Sequence, residues 1–477
     1  MLRIGGLGRG VHAGVVATTV AGAVCRGYAS EAGSAEHAAL MGVAAGSGTS
    51  SANFPIAKAV QGLGKSPTLA INELSAAKVA AGEDVVRFGF GQSPFPVPGE
   101  LVEALQRHAA QKDYEAVQGL AALQACVASE MAGRIGRPVA AEDIMVGPGS
   151  KELLFNLQVA IEGTISIPAA SWVSYLPQSL IAGRAIDVVP TARADGWKLT
   201  PEVAEAHFVG KPGTDSRASV LILNYPSNPT GLSYSASELE ALAGVFRKHN
   251  VIVLADEIYG KVHHTGQHAS LASAYPEGTI VSDGLSKWAG AGGWRLGHFC
   301  FPRELRWLRD AMHVVASETF SATSAPIQYA ATAAYPGEAS EPLAAYLEGS
   351  RAVLKAVGGY VADAANAAGM ATPKPDGGFY VFPSFNDAHG EWLADAKGIS
   401  TNVELAHTIL AETGVAMLPG APFSVPHDEL SLRLAFVDFD GAAALDAYAA
   451  TGHVDVAAVA PKVVRGMDRL AAWCGAR

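Results

Sequence analysis

The chain has 477 residues, of which 49% are hydrophobic and 17% are charged, so it is long enough for two domains with large apolar cores. The formal net charge of −11 argues against a nucleic-acid partner. No apolar run reaches the roughly 18–20 residues that a membrane span needs, and the closest, from Val11 to Val24, is diluted by Gly, Ala and Thr. The four cysteines and 14 histidines show no metal-ligand spacing, so no metal is expected.

Residues 1–30 have the composition of an organelle transit peptide. Three arginines and no acidic residue precede Glu31, and small residues and Val fill the gaps. The sequence RGYAS at 26–30 is typical of a mitochondrial processing site, with cleavage near Tyr28. We therefore expect a protein of the mitochondrial matrix, with the chloroplast or the cytoplasm as alternatives. Residues 31–50 are rich in Ala, Gly and Ser and are expected to form a disordered linker.

Between about residues 85 and 330, short apolar runs alternate with amphipathic stretches. The runs have the length and the flanking turns of buried strands, and they lie at 144–146, 164–167, 186–189, 220–223, 251–254, 280–282 and 298–301. Helices are expected between them, for example at 100–111 and 235–248. This alternation predicts an α/β fold with a mostly parallel central sheet, in which ligands bind at the carboxyl ends of the strands.

A second, smaller α+β domain is predicted to follow. A long helix at about 341–368 leaves the first domain, and strands are expected at 379–382, 415–418 and 432–436 before a helical, Ala-rich tail. The predicted organisation is an N-terminal arm at 51–85 that packs with the small domain, a large domain at 86–340, and the linking helix with the small domain at 341–477.

A Gly/Ser-rich loop carries the first candidate reactive group. Ser286 and Lys287 lie after the strand predicted at 280–282, and Arg295 follows eight residues after Lys287. A lysine amine can form a Schiff base with an aldehyde cofactor, and a nearby guanidinium can hold the phosphate of that cofactor. Alone, such a lysine is more often a solvated surface residue, so other segments must decide.

Three other segments share this pattern of polar residues after apolar runs. They are NYPSNPTG at 224–231, VIVLADEIY at 251–259, and LRL at 432–434 after GVAMLPG at 414–420. With the lysine loop, these segments resemble the pyridoxal-phosphate aminotransferases of class I/II, the fold-type I family that includes aspartate aminotransferase. The resemblance runs from about residue 50 to about residue 445. It implies a pyridoxal 5′-phosphate cofactor, the fold-type I α/β architecture, and transfer of an amino group from an L-amino acid to a 2-oxo acid.

The resemblance also implies roles for residues around the cofactor ring. Lys287 would form the Schiff base and later move a proton, and Asp256 would pair with the pyridine nitrogen and keep it charged. Tyr259 and Asn228 would hydrogen-bond the ring oxygen, and Trp172 would stack on the ring face. Lys287, Asp256 and Tyr259 are the predicted catalytic residues.

The cofactor phosphate needs backbone amides and cations. The turn GPGSKE at 147–152 opens a predicted helix, whose N-terminus favours an anion, and Ser150, Lys151, Ser286 and Arg295 are the predicted contacts. By resemblance, Tyr114 would reach the phosphate across a subunit boundary, which implies a homodimer. The family often has a serine three residues before the lysine, where this chain has Gly284, so one hydroxyl contact is missing.

The predicted substrate contacts are spread along the chain from Gly91 to Arg433. By resemblance, Arg433 would hold the α-carboxylate as a bidentate fork, with Gly91 and Asn228 nearby. Lys151 matches a cation that takes the distal carboxylate in one bacterial-type branch, which favours an acidic donor with 2-oxoglutarate or oxaloacetate as acceptor. A broad-specificity or aromatic (kynurenine-type) aminotransferase, a C–S β-lyase on the same scaffold, and a non-catalytic binding protein are the alternatives.

Overall fold

The computed structural model describes residues 57–60, 63, 67–209, 218–337 and 340–476. The predicted transit peptide at 1–30, its cleavage near Tyr28 and the linker at 31–50 lie outside the described residues. In the described part of the chain, no helix is both long and apolar enough to cross a membrane.

The first elements are a helix, a two-residue strand and two further helices. They are α1 (Pro67–Ala80), β1 (Val86–Arg87), α2 (Gly99–His108) and α3 (Ala121–Ile135). The chain then alternates strands and helices. These elements are β2 (Ile144–Gly147), α4 (Ser150–Ala160), β3 (Gly163–Pro168), α5 (Tyr175–Ile181), β4 (Ala185–Val189), α6 (Pro201–Phe208), β5 (Ala218–Asn224), α7 (Ala236–Lys248), β6 (Ile252–Asp256), α8 (Leu271–Ala274), β7 (Thr279–Gly284) and β8 (Gly297–Cys300).

The C-terminal part is mainly helical with short strands. Its elements are α9 (Arg306–Thr319), α10 (Ala325–Ala331), α11 (Glu341–Ala367), β9 (Tyr380–Val381), α12 (Asn386–Lys397), α13 (Asn402–Thr413), β10 (Val415–Ala416), β11 (Leu418–Pro419), β12 (Leu432–Ala435), α14 (Gly441–Thr451), α15 (Val456–Val459) and α16 (Pro461–Gly475). Capping boxes at Ser235 and Thr401 fix the starts of α7 and α13, because each side chain accepts a backbone N–H of the first turn.

Seven strands form one sheet in the order β2-β8-β7-β6-β5-β3-β4. All the neighbouring pairs are parallel except those of β8, which runs antiparallel to β2 and β7. In β5, Val220 and Ile222 belong to one apolar cluster, whereas Leu221 and Leu223 belong to another on the opposite face. The predicted mostly parallel sheet, covered on both faces, is therefore confirmed.

Two small sheets lie outside the large one. Strands β11, β12 and β9 form an antiparallel sheet, and β1 pairs in parallel with β10. The strand predicted at 415–418 is thus two strands that join different sheets, because the chain turns away at Met417. Residues 86–87, the first two of the predicted large domain, lie in a sheet with the predicted small domain.

Helices at both ends of the chain cover the small sheets. Helix α1 contacts β10 and β11, and α16 contacts α11, β1 and β10. Val463, Met467 and Leu470 of α16 are buried in the same apolar cluster as Val86 and Val415. The helical tail therefore completes the small-domain core.

Candidate active site

A cavity of about 320 Å³ opens at the carboxyl ends of the central parallel strands. Asn224 and Asp256 end β5 and β6 and line it, and Lys287 lies three residues after the end of β7. Ten residues predicted from the sequence line this cavity: Gly91, Ser150, Lys151, Trp172, Asn228, Asp256, Tyr259, Ser286, Lys287 and Arg295.

Lys287 points its amine into this cavity. Its Nζ donates a hydrogen bond to the carbonyl oxygen of Gly91 at 3.0 Å and lies 5.6 Å from the centre of the Tyr259 ring. The neighbouring Trp288 is fully buried and anchors the loop. The amine is thus held at one wall by a hydrogen bond to a backbone carbonyl, and it is available to a carbonyl carbon in the cavity.

Asp256 is a buried carboxylate held by two hydroxyl groups. Tyr175 donates to its Oδ2 at 2.6 Å, and Ser282 donates to its Oδ1 at 3.2 Å. Burial raises the pKa of Asp256 to about 6, although both hydroxyl groups act to lower it. A buried carboxylate of this kind gains most from a cation placed against it, which is what a protonated pyridine nitrogen would supply.

The N-terminus of α4 forms an anion site together with two cations, Lys151 and Arg295. Gly149 precedes this helix with φ of 87°, and a Cβ there would collide with the guanidinium of Arg295. Burial and the positive charge of Arg295 both lower the pKa of Lys151. Among the described residues, no carboxylate pairs with Lys151 or Arg295, and Arg295 Nη1 donates to the carbonyl oxygen of Gly292, so this arrangement suits a phosphate.

Gly284 has a steric reason to lack a side chain. A Cβ at this position would lie 2.7 Å from both the Cα of Gly297 and the carbonyl oxygen of Leu296. Both are backbone atoms of the adjacent chain segment, so they cannot move aside easily. The missing serine of the family pattern is therefore coupled to the close packing of β7 on β8.

Tyr259 and Asn228 are connected to residues of the small domain. The Tyr259 hydroxyl lies 3.0 Å from the hydroxyl of Tyr380, and Asn228 Oδ1 accepts a hydrogen bond from Arg433 at 3.3 Å. Tyr259 is followed by a short 3-10 turn at Gly260–Val262 rather than an α-helix. Both side chains line the cavity, so each can reach a bound ring.

Arg433 is buried beside the cavity rather than in its lining. Its Nη2 donates to the carbonyl oxygen of Gly89 at 2.5 Å, and its guanidinium lies 4.8 Å from the centre of the Tyr380 ring. Its Nε–H has no hydrogen-bond partner among the described residues. A buried cation with an unused donor fits a carboxylate ligand.

Trp172 and Tyr114 differ in their placement. Trp172 lines the cavity, with Lys151 Nζ 5.3 Å from the centre of its ring. Tyr114 does not line the cavity of its own chain, and 93% of it is exposed. The geometry thus brings together the predicted residues apart from Tyr114, and it leaves Arg433 one contact away.

The sequence did not reveal three residues that contact the predicted catalytic side chains. Tyr175 and Ser282 hold Asp256, and Tyr380 contacts Tyr259. Tyr175 stands in the segment WVSY at 172–175, three residues after the predicted Trp172, and this closeness was the only local signal. Nothing local marks Tyr380, which lies 121 residues from its partner.

This donor set fits pyridoxal phosphate. The buried carboxylate of Asp256 matches the ring nitrogen, and the amine of Lys287 matches the aldehyde. The anion site matches the phosphate, and the unpaired Nε–H of Arg433 matches a substrate carboxylate. When bound, the cofactor supplies an electron sink that stabilises the charge left when a bond at the substrate α-carbon breaks. The fold and the site together define a fold-type I enzyme that depends on pyridoxal phosphate.

Comparison with known proteins agrees with this class. The family described as aminotransferase class I and II matches residues 83–441. An aspartate aminotransferase of Geobacillus stearothermophilus is 33% identical over 380 residues, which is 78% of this chain and 92% of that protein. An aspartate/prephenate aminotransferase of Cereibacter sphaeroides is 32% identical over 371 residues, 76% of this chain and 89% of that protein. The solved aspartate aminotransferase of Thermus thermophilus with maleate has a TM-score of 0.74 and 26% identity, covering 88% of this chain and 99% of that one.

The chain belongs to the class I and II aminotransferase family. It is a transaminase for amino acids that depends on pyridoxal phosphate, and the family, fold type and cofactor predicted from the sequence are confirmed. The relatives named above do not favour the β-lyase or the aromatic alternative.

Proposed function

We propose that the enzyme transfers the amino group of an acidic amino acid, aspartate or glutamate, to 2-oxoglutarate or oxaloacetate. The observation that carries this proposal is Lys151, a cavity-lining cation with no carboxylate partner among the described residues. Its amine lies beside Trp172, where it can donate hydrogen bonds to the distal carboxylate of a dicarboxylic substrate. The names of the relatives support the same choice. The Geobacillus and Thermus proteins are aspartate aminotransferases, and the Thermus structure was solved with maleate, a dicarboxylate.

The residues around the cavity take the roles that the resemblance implies. Lys287 would hold the cofactor aldehyde and move a proton at its Nζ, and Asp256 would balance the charge of the ring nitrogen. Tyr259 would donate a hydrogen bond to the ring oxygen. Arg433 would take the α-carboxylate with its guanidinium, which would hold the amino acid beside Lys287.

A spectral screen of half-reactions tests the substrate proposal. Each amino acid is mixed with the cofactor-loaded enzyme without an oxo acid, and the rate of the near-visible absorbance change is recorded. Aspartate and glutamate should react faster than alanine or phenylalanine, and the reverse order would contradict an acidic donor. A cysteine conjugate in the same screen tests the β-lyase alternative, which would release pyruvate and ammonia.

We further propose that the active enzyme is a homodimer in which Tyr114 contacts the cofactor of the partner subunit. The support is its 93% exposure and its position outside the cavity of its own chain. Light scattering measures the mass in solution. Mixing inactive Lys287→Ala with Tyr114→Phe subunits adds a sharper measurement, because a shared site would leave one of the two sites in each hybrid dimer intact and restore activity. No recovery in hybrids that demonstrably form would contradict the shared site.

We also propose that the protein is imported into the mitochondrial matrix. The support is compositional: residues 1–30 contain three arginines and no acid. A fluorescent protein fused after residue 30 should enter mitochondria and lose the leader near Tyr28. Location in chloroplasts or in the cytoplasm would contradict this proposal.

A further inference from the structure

Tyr380 lies where three parts of the site meet. It belongs to β9 and is 1% exposed. Its hydroxyl oxygen is 3.0 Å from the hydroxyl oxygen of Tyr259 and 3.3 Å from the carbonyl oxygen of Gly91. Its ring centre is 4.8 Å from the guanidinium carbon of Arg433. One side chain therefore contacts the predicted partner of the ring oxygen and the predicted partner of the substrate carboxylate.

Counting protons limits what this hydroxyl pair can do. Each hydroxyl carries one proton, so the contact between Tyr259 and Tyr380 uses the proton of one of them. If Tyr380 donates to the Gly91 carbonyl, Tyr259 must donate to Tyr380. The proton of Tyr259 is then not available to a ligand in the cavity. If Tyr380 donates to Tyr259, the Tyr259 proton is free to point at a ligand.

The lengths of the two contacts favour the second arrangement. The Tyr380 hydroxyl lies 3.3 Å from the Gly91 carbonyl oxygen, which is long for an O–H···O hydrogen bond, whereas its 3.0 Å separation from the Tyr259 hydroxyl is at the usual limit. Burial and the neighbouring Tyr380 raise the pKa of Tyr259, so its hydroxyl stays protonated and can donate. Asp256 and Arg433 are the other charged groups that act on this hydroxyl.

We propose that Tyr380 is a positioning residue with two separable parts: its hydroxyl directs the proton of Tyr259 into the cavity, and its ring holds Arg433 in place. This inference rests on the roles proposed above for Tyr259 and Arg433. It also accounts for Gly91, because a Cβ at that position would collide with the Tyr380 hydroxyl. A glycine is needed there so that the hydroxyl can sit between the Gly91 carbonyl and Tyr259.

Two substitutions separate the hydroxyl from the ring. Tyr380→Phe keeps the ring under Arg433 and removes the donor to Tyr259. A hydroxyl that accepts a hydrogen bond is a stronger donor, so this variant should weaken the hydrogen bond from Tyr259 to the anionic ring oxygen. The pH midpoint of the bound cofactor's absorbance change should therefore rise by about 0.5 to 1 unit, because the anionic form is less stabilised.

Tyr380→Leu removes the ring as well. The probe is 2-methylalanine, which has an α-carboxylate but no Cα–H bond. The dissociation constant of Tyr380→Leu for this probe should be about five- to tenfold higher than that of Tyr380→Phe. Tyr380→Phe should bind this probe within about twofold of wild type, since the ring under Arg433 remains. The probe has no distal carboxylate, so the result does not depend on the identity of the amino donor.

Control variants separate a failure of this inference from a failure of the roles on which it rests. Tyr259→Phe and Arg433→Lys are measured first, for the absorbance midpoint and for probe binding. If they change these quantities while Tyr380→Phe leaves the midpoint unchanged, or the two Tyr380 variants bind the probe equally, the inference is wrong. If Tyr380→Leu does not fold, Tyr380→Met is measured for probe binding instead, since it also lacks the aromatic ring. Gly91→Ala, whose Cβ displaces the hydroxyl, must reproduce the midpoint shift of Tyr380→Phe.

Discussion

The hydroxyl of Tyr175, the first residue of α5, donates a 2.6 Å hydrogen bond to Oδ2 of Asp256, the last residue of β6. Both side chains are buried, so this bond stabilises an ionised carboxylate that burial otherwise disfavours. The pKa of Asp256 is still raised, to about 6, which means that the cofactor-free protein holds a carboxylate ready for a cation.

The raised pKa of Asp256 predicts how the stability of the cofactor-free enzyme depends on pH. The folded protein holds this proton up to about pH 6, whereas the unfolded chain releases it near pH 4. The free energy of unfolding should therefore contain a component that falls by about 3 kcal/mol as the pH rises from about 4 to 6. Urea unfolding at a series of pH values measures it.

Variants of this pair assign that component. Asp256→Asn should remove it, and Tyr175→Phe should extend the fall above pH 6, because the carboxylate loses its shortest hydrogen bond and its pKa rises further. A Tyr175→Phe profile identical to that of the wild type would mean that the hydroxyl does not stabilise the charge.

Substitution of Lys287 should abolish the covalent attachment of the cofactor. Lys287→Ala is expected to lose the near-visible absorbance of the Schiff base while it keeps its fold, since Nζ makes only one hydrogen bond to the described residues, to Gly91. Lys248→Ala, which removes a surface lysine paired with Glu205, is the matched control and should keep the spectrum. An unchanged spectrum in Lys287→Ala would show that Lys287 is not the Schiff-base lysine.

Substitution of Arg433 should affect the amino acid more than the cofactor. Arg433→Lys keeps the charge but loses the planar fork, so the dissociation constant of the amino acid should rise about ten- to hundredfold. The cofactor spectrum should be retained. Arg193→Lys, which alters a surface arginine paired with Asp387, is the control. Equal loss of cofactor and substrate binding would assign Arg433 a structural role instead.

Substitution of Lys151 should discriminate between substrates. Lys151→Ala should raise the KM for aspartate about tenfold and leave that for alanine nearly unchanged, because only aspartate has a distal carboxylate. Lys151→Arg should recover part of the loss by restoring the charge. Cofactor affinity is measured in parallel, since Lys151 also lies at the predicted phosphate site. Equal effects on aspartate and alanine would remove the case for an acidic donor.

A serine at position 284 should destabilise the protein rather than add a phosphate contact. Its Cβ would lie 2.7 Å from backbone atoms of Leu296 and Gly297. We expect Gly284→Ser to lower the free energy of unfolding by about 1–3 kcal/mol and to weaken cofactor binding. Gly244→Ser, in α7 with open space around it, is the control. Tighter cofactor binding in Gly284→Ser would show that the hydroxyl fits after all.

The large domain was largely predictable because its signals are local. All seven strands of the main sheet overlap the predicted apolar runs, since strands buried on both faces must be continuously apolar. Asp256 follows such a run, and the parallel sheet brings it to the same edge as Lys287. The strand at 415–418 was predicted as one element, because periodicity does not reveal that the chain changes sheets at Met417.

The sequence by itself determined the family, the cofactor and the residue types of the site, because each lies in a short segment after a strand whose apolar pattern can be read locally. Only the tertiary structure decided how these residues are held. Tyr175 on Asp256, Tyr380 between Tyr259 and Gly91, and the exclusion of any side chain at position 284 all join segments that are far apart in the chain. Such contacts depend on side-chain distances across packed elements, which no local spacing records.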